Sequence, residues 1–341
     1  MYNHKIMNIN QPEDWFTDLP AQRENIAFKP EEMLLCAKCA RTNPPNRLNC
    51  FYCGDELEIS GEQSQFLKPC LRKLESWEKG FNIILLPTPQ IFDETKIGMV
   101  AGLLKLEKEV LKKVIRANAA LPLARAESQK EAAIAETRLG ELGIETLIVS
   151  DESLGVEKPT RRLRGIEFFD DRVILILFNL DEIVEITVED LALIVTGAVF
   201  ERKIAATEKY NKKGDNKILD TNETASDETL IDIYSRHDSY GFRIYAKGFD
   251  FSSLEAEKGI LAKDNIIKLT EKLRRFAPAA KFIDGYLASR NLLANVWEVK
   301  QTTDSQGLKR EGFGKFNLGN VTTINNLSQF TKYSRLQWHL L

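Results

Sequence analysis

The chain has 341 residues, of which 43% are hydrophobic and 28% are charged; this composition is typical of a globular protein and excludes wholesale disorder. Its 47 basic and 50 acidic residues give a formal net charge of -3, which excludes a global positive field that would draw the chain onto nucleic acid or an anionic membrane. The longest apolar run is far shorter than the roughly eighteen residues of a membrane span, and the N-terminus lacks the apolar centre of a signal peptide. We therefore expect a cytoplasmic protein with two or three domains.

The first predicted segment is a polar N-terminal arm over residues 1–33. Trp15 and Phe16 are the one large apolar pair in its sequence. An aromatic pair in a polar arm is more often a docking contact onto the same protein than a ligand for another one. The arm therefore carries no functional prediction of its own.

Residues 34–58 contain two C-x2-C pairs separated by ten residues. Thiolates at this spacing can close a tetrahedral site around one Zn2+. The Asn-Pro-Pro-Asn turn at 43–46 and Gly54 suit such a site, because they provide a turn and a residue that accepts positive φ. Four thiolates leave no position for water, which favours a structural zinc over a catalytic one. The predicted ligands are Cys36, Cys39, Cys50 and Cys53.

Reduced thiols or disulfides are the alternative interpretation of these cysteines. The chain has only five Cys, and Cys70 stands outside the cluster, which is unlike the dense pattern of a secreted disulfide scaffold.

The pattern Cys36-x2-Cys39-x3-Asn43-Pro44-x5-Cys50-x2-Cys53-Gly54 resembles the zinc ribbons of many bacterial proteins, and part of its spacing is similar to RanBP2-type zinc fingers. The RanBP2-type resemblance implies single-stranded RNA recognition by a Trp two residues before the first Cys and by basic or amide side chains. Leu34 occupies that Trp position here. The candidate contacts for a partner protein or for nucleic acid are Lys38, Arg41, Asn43, Arg47, Phe51 and Tyr52.

A linker helix is predicted over residues 59–79, because apolar residues recur there near helical spacing. Pro69 would occupy its first turn. The apolar residues of this stretch are Phe66, Leu67, Leu71, Leu74 and Trp77.

Residues 80–150 predict a compact α/β module with the order strand, two helices, third helix, strand. Ser128 and Glu131 form a capping box for the third helix, and Gly143 is the expected residue after its end. The module resembles the C-terminal domain of the bacterial ribosomal stalk protein. The positions that carry this resemblance are Lys96, Ile97, Val100, Val114, Pro122, Glu131, Ala132, Leu139 and Gly143. It implies the stalk fold, whereas the basic factor-binding positions of the family are apolar here around Met99.

Residues 160–288 predict an antiparallel α+β domain. Strands at 166–169, 173–178 and 182–186 are joined by hairpin turns, and strands at 230–234 and 242–245 flank a second turn. Residues 205–228 predict a long mobile hairpin insertion. A helical segment follows from Ile260 to Leu273. A meander of strands capped by a helix is similar in plan to a pleckstrin-homology-like domain.

Residues 289–341 are predicted to alternate helix and loop. Helices are expected at 289–297 and 325–340, with a loop at 311–315 between them. The last helix is expected to dock onto the preceding domain. Gly312 and Gly314 neither follow a clear strand nor open a helix, so they do not indicate a phosphate-binding loop.

The sequence contains no Walker A loop, nucleophile elbow, H-E-x-x-H or dinucleotide fingerprint. Among three His, His237 lies in a turn near Asp232 and Asp238; a hydrogen bond to Asp238 or to solvent is favoured there over a general base. We therefore expect a non-enzymatic adaptor with no small-molecule substrate, which binds a protein or large complex through Leu34, Phe51 and Tyr52. Two alternatives remain, namely RNA, DNA or ribosome association through Lys38, Arg41 and Arg47, and an enzyme that uses the loop at 236–238.

Overall fold

The computed structural model describes residues 28–59, 67, 69, 71–75, 77–88, 91–178, 182–209, 217–312 and 315–341. The chain divides into two compact units, Met1–Leu67 and Lys68–Leu341. Trp15, Phe16, Cys70 and Gly314 lie outside the described residues. The described residues form both helices and β-sheets, so the predicted mixed class is confirmed. Among them, no helix combines the length and the apolar character that crossing a membrane requires.

The described part of the first unit is a small module around the four cysteines. Strand β1 (Leu34–Leu35) pairs antiparallel with β2 (Thr42–Asn43), after a single 3-10 turn at Pro30–Glu32. Its buried core contains Leu34, Leu57 and two of the cysteines. So small an apolar core supplies little stability by itself, and modules of this size commonly depend on a metal for folding.

The second unit begins with a three-stranded antiparallel sheet in the order β4-β3-β5. Three helices connect its strands and pack against them. The elements are β3 (Phe81–Leu85), α1 (Glu94–Leu104), α2 (Lys108–Arg116), β4 (Leu121–Ala126), α3 (Gln129–Glu141) and β5 (Thr146–Ser150). The order strand, two helices, third helix, strand is thus present, with one further strand before α3.

The predicted boundaries of α3 are confirmed by its caps. The Ser128 hydroxyl accepts a hydrogen bond from the Glu131 backbone N–H at 3.2 Å. At the other end, Gly143 has a φ of 71°, and the N–H of Ile144 reaches the Leu139 carbonyl at 2.9 Å. This is the Schellman arrangement, in which a glycine takes the left-handed conformation.

Two predictions for this region are wrong. The sequence analysis missed β4, because Pro122 argues against a strand; the strand lies at the edge of its sheet, where a residue without an N–H is tolerated. The linker helix is absent from residues 71–75 and 77–79, which have no regular secondary structure apart from a turn and a bend at 77–78. Pro69 cannot donate the hydrogen bond that a helix interior requires. Phe66, with the rest of residues 60–66, lies outside the described residues.

Nine strands of the described residues form a second sheet, in the order β13-β14-β9-β10-β11-β6-β7-β8, with β12 beside β9. The predicted hairpins between 161 and 187 and around 236–237 are confirmed. The strands are β6 (Arg161–Phe168), β7 (Arg172–Leu177), β8 (Ile183–Thr187), β9 (Leu191–Lys209), β10 (Lys217–Ser235), β11 (Asp238–Tyr245), β12 (Lys281–Ile283), β13 (Lys300–Gly312) and β14 (Lys315–Asn325).

This sheet differs from the sequence prediction in three ways. The predicted insertion at 205–228 consists of the outer halves of β9 and β10, apart from residues 210–216, which lie outside the described residues. A long hairpin of β13 and β14 occupies residues 300–312 and 315–325, although the sequence predicted only a loop at 311–315 between two helices. Two pairs, β6 with β11 and β9 with β12, are parallel. Short connections dictate the pairing of consecutive strands only, so they could not predict the parallel pairs.

Three helices complete the unit. Helix α4 (Ala262–Phe276) buries Ile266, Leu269 and Leu273 in the core under the second sheet, and α5 (Tyr286–Leu293) begins before the predicted start at 289. Helix α6 (Leu327–His339) is where the sequence placed it, but it is buried along nine consecutive residues, 329–337. Because its polar residues are also buried, α6 needs hydrogen-bond partners on every side.

Candidate metal centre and a buried charge cluster

The two C-x2-C pairs fold into equivalent turns. In the first, the N–H of Ala40 donates to the Cys36 carbonyl at 2.9 Å; in the second, the N–H of Gly54 donates to the Cys50 carbonyl at 2.9 Å. The residue after each second cysteine has positive φ, 53° at Ala40 and 75° at Gly54. The repeated turn brings two sulfurs from each pair toward a common centre.

The four sulfurs lie at distances that suit one tetrahedral metal ion. The sulfurs of Cys36 and Cys53 are 3.6 Å apart, and those of Cys39 and Cys50 are 3.5 Å apart. All four lie within 4.8 Å of one another. Ligands at about 2.3 Å from a tetrahedral ion are roughly 3.8 Å from each other. These cysteines can therefore hold a metal ion.

Asn43 connects β2 to the second cysteine pair. Its side chain is fully buried and donates to the Arg41 carbonyl at 3.0 Å and to the Cys50 sulfur at 3.4 Å. Its amide oxygen accepts from the Phe51 N–H at 2.8 Å. The prediction that Asn43 contacts a partner is therefore wrong, because the side chain supports the site from the inside.

The pKa values of the thiols differ across the site. Burial opposes ionisation of Cys50, but N–H groups of Cys53 and Tyr52 and the amide of Asn43 lower its pKa to about 6. For Cys53, the backbone bond from Asp55 favours the thiolate, yet burial and the three neighbouring cysteines raise the pKa to about 12. A cation between the four sulfurs would favour their thiolate forms, and a metal ion could provide that charge.

The exposed surface beside this site is apolar and aromatic. Phe51 is 66% exposed, Tyr52 52% and Leu35 65%. Leu34, which we expected in this patch, is only 3% exposed. The prediction was off by one residue, because successive side chains of a strand point to opposite faces and β1 turns Leu34 inward.

Three basic side chains lie close to the cysteine pairs. The Arg41 guanidinium is 4.7 Å from the centre of the Tyr52 ring, and that of Arg47 is 4.9 Å from the centre of the Phe51 ring. Lys38 forms an ion pair with Asp55 at 3.0 Å, and this hydrogen bond raises its pKa. Arg41 and Arg47 thus extend the aromatic surface, whereas Lys38 is paired within the module.

The structure gives His237 a partner other than the predicted one. Its Nε2 lies 3.1 Å from a carboxylate oxygen of Asp190, and its side chain is largely exposed. Asp238 accepts instead from the backbone N–H groups of Tyr240 and Gly241. Asp232 is buried against Arg243. The structure does not bring the predicted acids onto His237.

A buried charge cluster, which sequence analysis missed, connects α6 to the end of β5. Asp151 accepts hydrogen bonds from Arg125 and, at 3.0 Å, from Lys332 of α6. Gly80 N–H and the Asn82 amide also donate to it, at 3.0 and 3.1 Å. Burial opposes the charge of Asp151, but Lys332 and Arg125 hold its pKa below the usual value.

Two further cations of the core lie close to this cluster. Arg243 forms a bidentate pair with Asp232, at 2.6 and 2.7 Å, and also donates to the Thr331 hydroxyl at 3.0 Å. Arg335 donates to backbone carbonyls, including that of Lys158 at 3.1 Å. The sequence of α6 mixes these polar residues with apolar ones, so it gave no signal that Thr331, Lys332 and Arg335 are buried.

The comparisons with known proteins add no relative. No protein-family model, no curated protein and no solved structure matches the chain.

Proposed function

We propose that the chain is a non-enzymatic adaptor in which a structural zinc ribbon presents an aromatic surface to another protein. Zn2+ is the metal that best suits four thiolates at this spacing. Cys36, Cys39, Cys50 and Cys53 would hold it, and the ion would fix the two turns relative to each other. With four sulfur ligands its contribution is to folding and not to catalysis.

The observation that carries the proposal is the exposure of Phe51, Tyr52 and Leu35 on one small module around the four cysteines. Aromatic residues and arginine are enriched at the centre of protein interfaces, because they bury a large area with little loss of conformational freedom. The backbone N–H of Phe51 donates to the buried Asn43 amide oxygen, and that of Tyr52 donates to the Cys50 sulfur. The backbone that carries both rings is therefore fixed before binding, which lowers the entropic cost of binding.

The alternative partner is nucleic acid, and the two arginines over the aromatic rings favour it. Against it stands the charge of the module. Residues 28–59 contain four basic and five acidic side chains, and four thiolates with one Zn2+ add two further negative charges. Non-specific nucleic-acid binding depends on an excess of positive charge, so a protein partner is the better candidate.

The test is capture from the cells that produce the protein, with and without nuclease, using matched variants. Phe51→Ala/Tyr52→Ala removes the two rings but keeps the backbone donors, so zinc content measured by native mass spectrometry should stay at one ion per chain. Partner affinity should fall about tenfold or more. Ile183→Ala, at an exposed apolar residue of β8, is the control and should bind like the wild type.

The outcomes separate the two partner classes. A polypeptide that survives nuclease treatment and is lost with the aromatic pair supports the adaptor. Capture that disappears with nuclease, weakens steeply with salt and depends on Arg41 and Arg47 would replace it with the nucleic-acid function. If neither the substitution of Phe51 and Tyr52 nor that of Arg41 and Arg47 changes binding of the partner, the cysteine module is not the interface.

We also propose fold relationships for the second unit. The β-α-α-β-α-β order and antiparallel sheet of residues 81–150 support the fold of the ribosomal stalk protein's C-terminal domain. The packing of α4 against β6–β11 supports a pleckstrin-homology-like plan for the following domain. Both are fold analogies, and neither assigns a function.

A further inference from the structure

A cavity of about 530 Å³ lies beside α6 in the second unit. Its volume falls within the range of roughly 300–1,000 Å³ that is typical of small-molecule sites. A larger cavity of about 1160 Å³ shares part of its wall, including Trp77, Lys158 and Lys332. The chain therefore has room for a ligand next to its buried charge cluster.

The wall of the smaller cavity is strongly basic. Five cationic side chains line it, with Glu298 as the one acidic side chain. Three of the cations are almost completely buried, and the other two are exposed at the rim. The buried ones are Arg125, Arg243 and Lys332, and the exposed ones are Lys158 and Lys300.

The carboxylates behind the wall compensate this charge only in part. Asp151 forms ion pairs with both Arg125 and Lys332, whereas Asp232 forms an ion pair with Arg243. Within the described residues, no carboxylate forms an ion pair with Lys158 or Lys300. Glu298 forms an ion pair with Lys73, which does not line the cavity, so at least two positive charges of the wall remain after Asp151, Asp232 and Glu298 are counted. Arg125 and Lys332 are buried and share one carboxylate, and such uncompensated buried charge is unfavourable unless an anion approaches it.

The form of the site indicates what kind of anion fits. Two excess positive charges match a phosphate monoester, which carries about −1.5 to −2 at neutral pH, better than a single carboxylate. Hydroxyl donors for phosphate oxygens are present in the wall at Thr160 and Ser328. Arginine also matches the geometry of phosphate oxygens.

Much of the remaining wall is apolar or aromatic. Leu74, Val296 and Trp297 belong to it. Trp77 lines the cavity while remaining 78% exposed, so its ring is available to a flat group at the mouth. An organic group attached to the phosphate could therefore pack against these apolar and aromatic side chains.

We propose that this cavity binds a phosphate monoester, with the phosphate among Arg125, Lys158, Lys300 and Lys332 and an apolar or aromatic group against Trp77. The site is independent of the cysteine module. It adds a small-molecule ligand to a chain whose sequence gave no sign of one.

The test is calorimetric titration of the full chain with inorganic phosphate and with phenyl phosphate at constant ionic strength. Both should bind saturably at one site, and phenyl phosphate should bind more tightly. Trp77→Ala, at an exposed position, should abolish the advantage of phenyl phosphate and leave inorganic phosphate unchanged. Lys332→Gln should weaken both probes about tenfold or more, because it removes a charge-assisted hydrogen bond.

Variants at exposed positions test the proposal even if Lys332→Gln folds poorly. Lys158→Gln/Lys300→Gln changes only exposed side chains and should weaken both probes several-fold. Lys263→Gln, at an exposed position on α4, should have no effect. Absence of saturable binding, or binding that the rim variant leaves unchanged, would overturn the proposal.

Discussion

Replacing Asp151 by asparagine tests how α6 is held in the core. The carboxylate joins two segments far apart in sequence, because Lys332 lies 181 residues from Asp151. The side chains of Asp151 and Lys332 are 9% and 11% exposed, and that of Arg125 is 5% exposed. Asparagine keeps the shape of the side chain but leaves two buried cations without their shared anion.

The expected loss is about 3–5 kcal/mol of unfolding free energy, which is typical when one partner of a buried ion pair is removed. For a unit of this size, that loss corresponds to a fall of roughly 6–20 °C in melting temperature. Lys332→Met in the Asp151→Asn background should then cost less than in the wild type. We expect an interaction energy of about 1–3 kcal/mol between the two positions.

The assay is chemical unfolding of the wild type, the two single variants and the double variant. Asp171→Asn is the control, because the Asp171 side chain is exposed and its carboxylate pairs with the neighbouring Arg172; its effect should stay within about 0.5 kcal/mol. A loss below about 1 kcal/mol for Asp151→Asn, or independent effects at 151 and 332, would refute the view that this cluster anchors α6.

Three further predictions concern other parts of the chain. Asn43→Ala should weaken metal retention about 10–100-fold in a chelator competition, whereas Asn46→Ala, at an exposed position, should leave it unchanged. If both variants retain the metal equally well, the Asn43 side chain does not stabilise the site. Gly197→Ala should destabilise the chain by about 1–3 kcal/mol, because the added Cβ would overlap the aromatic rings of α5 and α6. Gly102→Ala is the control; it lies in open space on α1 and should stabilise the chain by up to about 1 kcal/mol. Similar shifts in melting temperature for the two variants would contradict the close packing at Gly197. Burial raises the pKa of Tyr333 to about 12, above the unfolded value of about 10. The contribution of the neutral phenol to stability is therefore complete below about pH 10 and is lost as pH rises toward 12. Between about pH 9 and pH 11, the unfolding free energy of Tyr333→Phe should fall less than that of the wild type. An alkaline stability profile that the substitution leaves unchanged would contradict a raised pKa of Tyr333.

Short-range signals in the sequence were sufficient for several elements. The spacing of the four cysteines predicted that they meet, since each pair is closed by one turn. Ser128 and Gly143 fixed the ends of α3, because caps involve residues only three or four positions away. The hairpins of β6, β7 and β8 could be predicted for the same reason, since the three residues between β6 and β7 and the five between β7 and β8 include typical turn residues.

Features that depend on contacts between residues far apart in sequence could not be predicted from the sequence. Pro122 forbids a central strand but not an edge strand, and only the assembled sheet shows that β4 lies at its edge. The outer parts of β9, β10, β13 and β14 bury few side chains on either face, so they lack the alternation by which a half-buried strand is recognised.

The sequence by itself determined the mixed α+β class, the close approach of the four cysteines and the positions of α3, α4 and α6. Tertiary structure decided which side chains the molecule uses. It turned Leu35 outward in place of Leu34, buried Asn43 behind the cysteines, and brought Asp151 to Lys332. The reason is physical: a turn or cap is stabilised within a few residues, whereas the burial and charge compensation of a side chain depend on segments that meet only when the chain has folded.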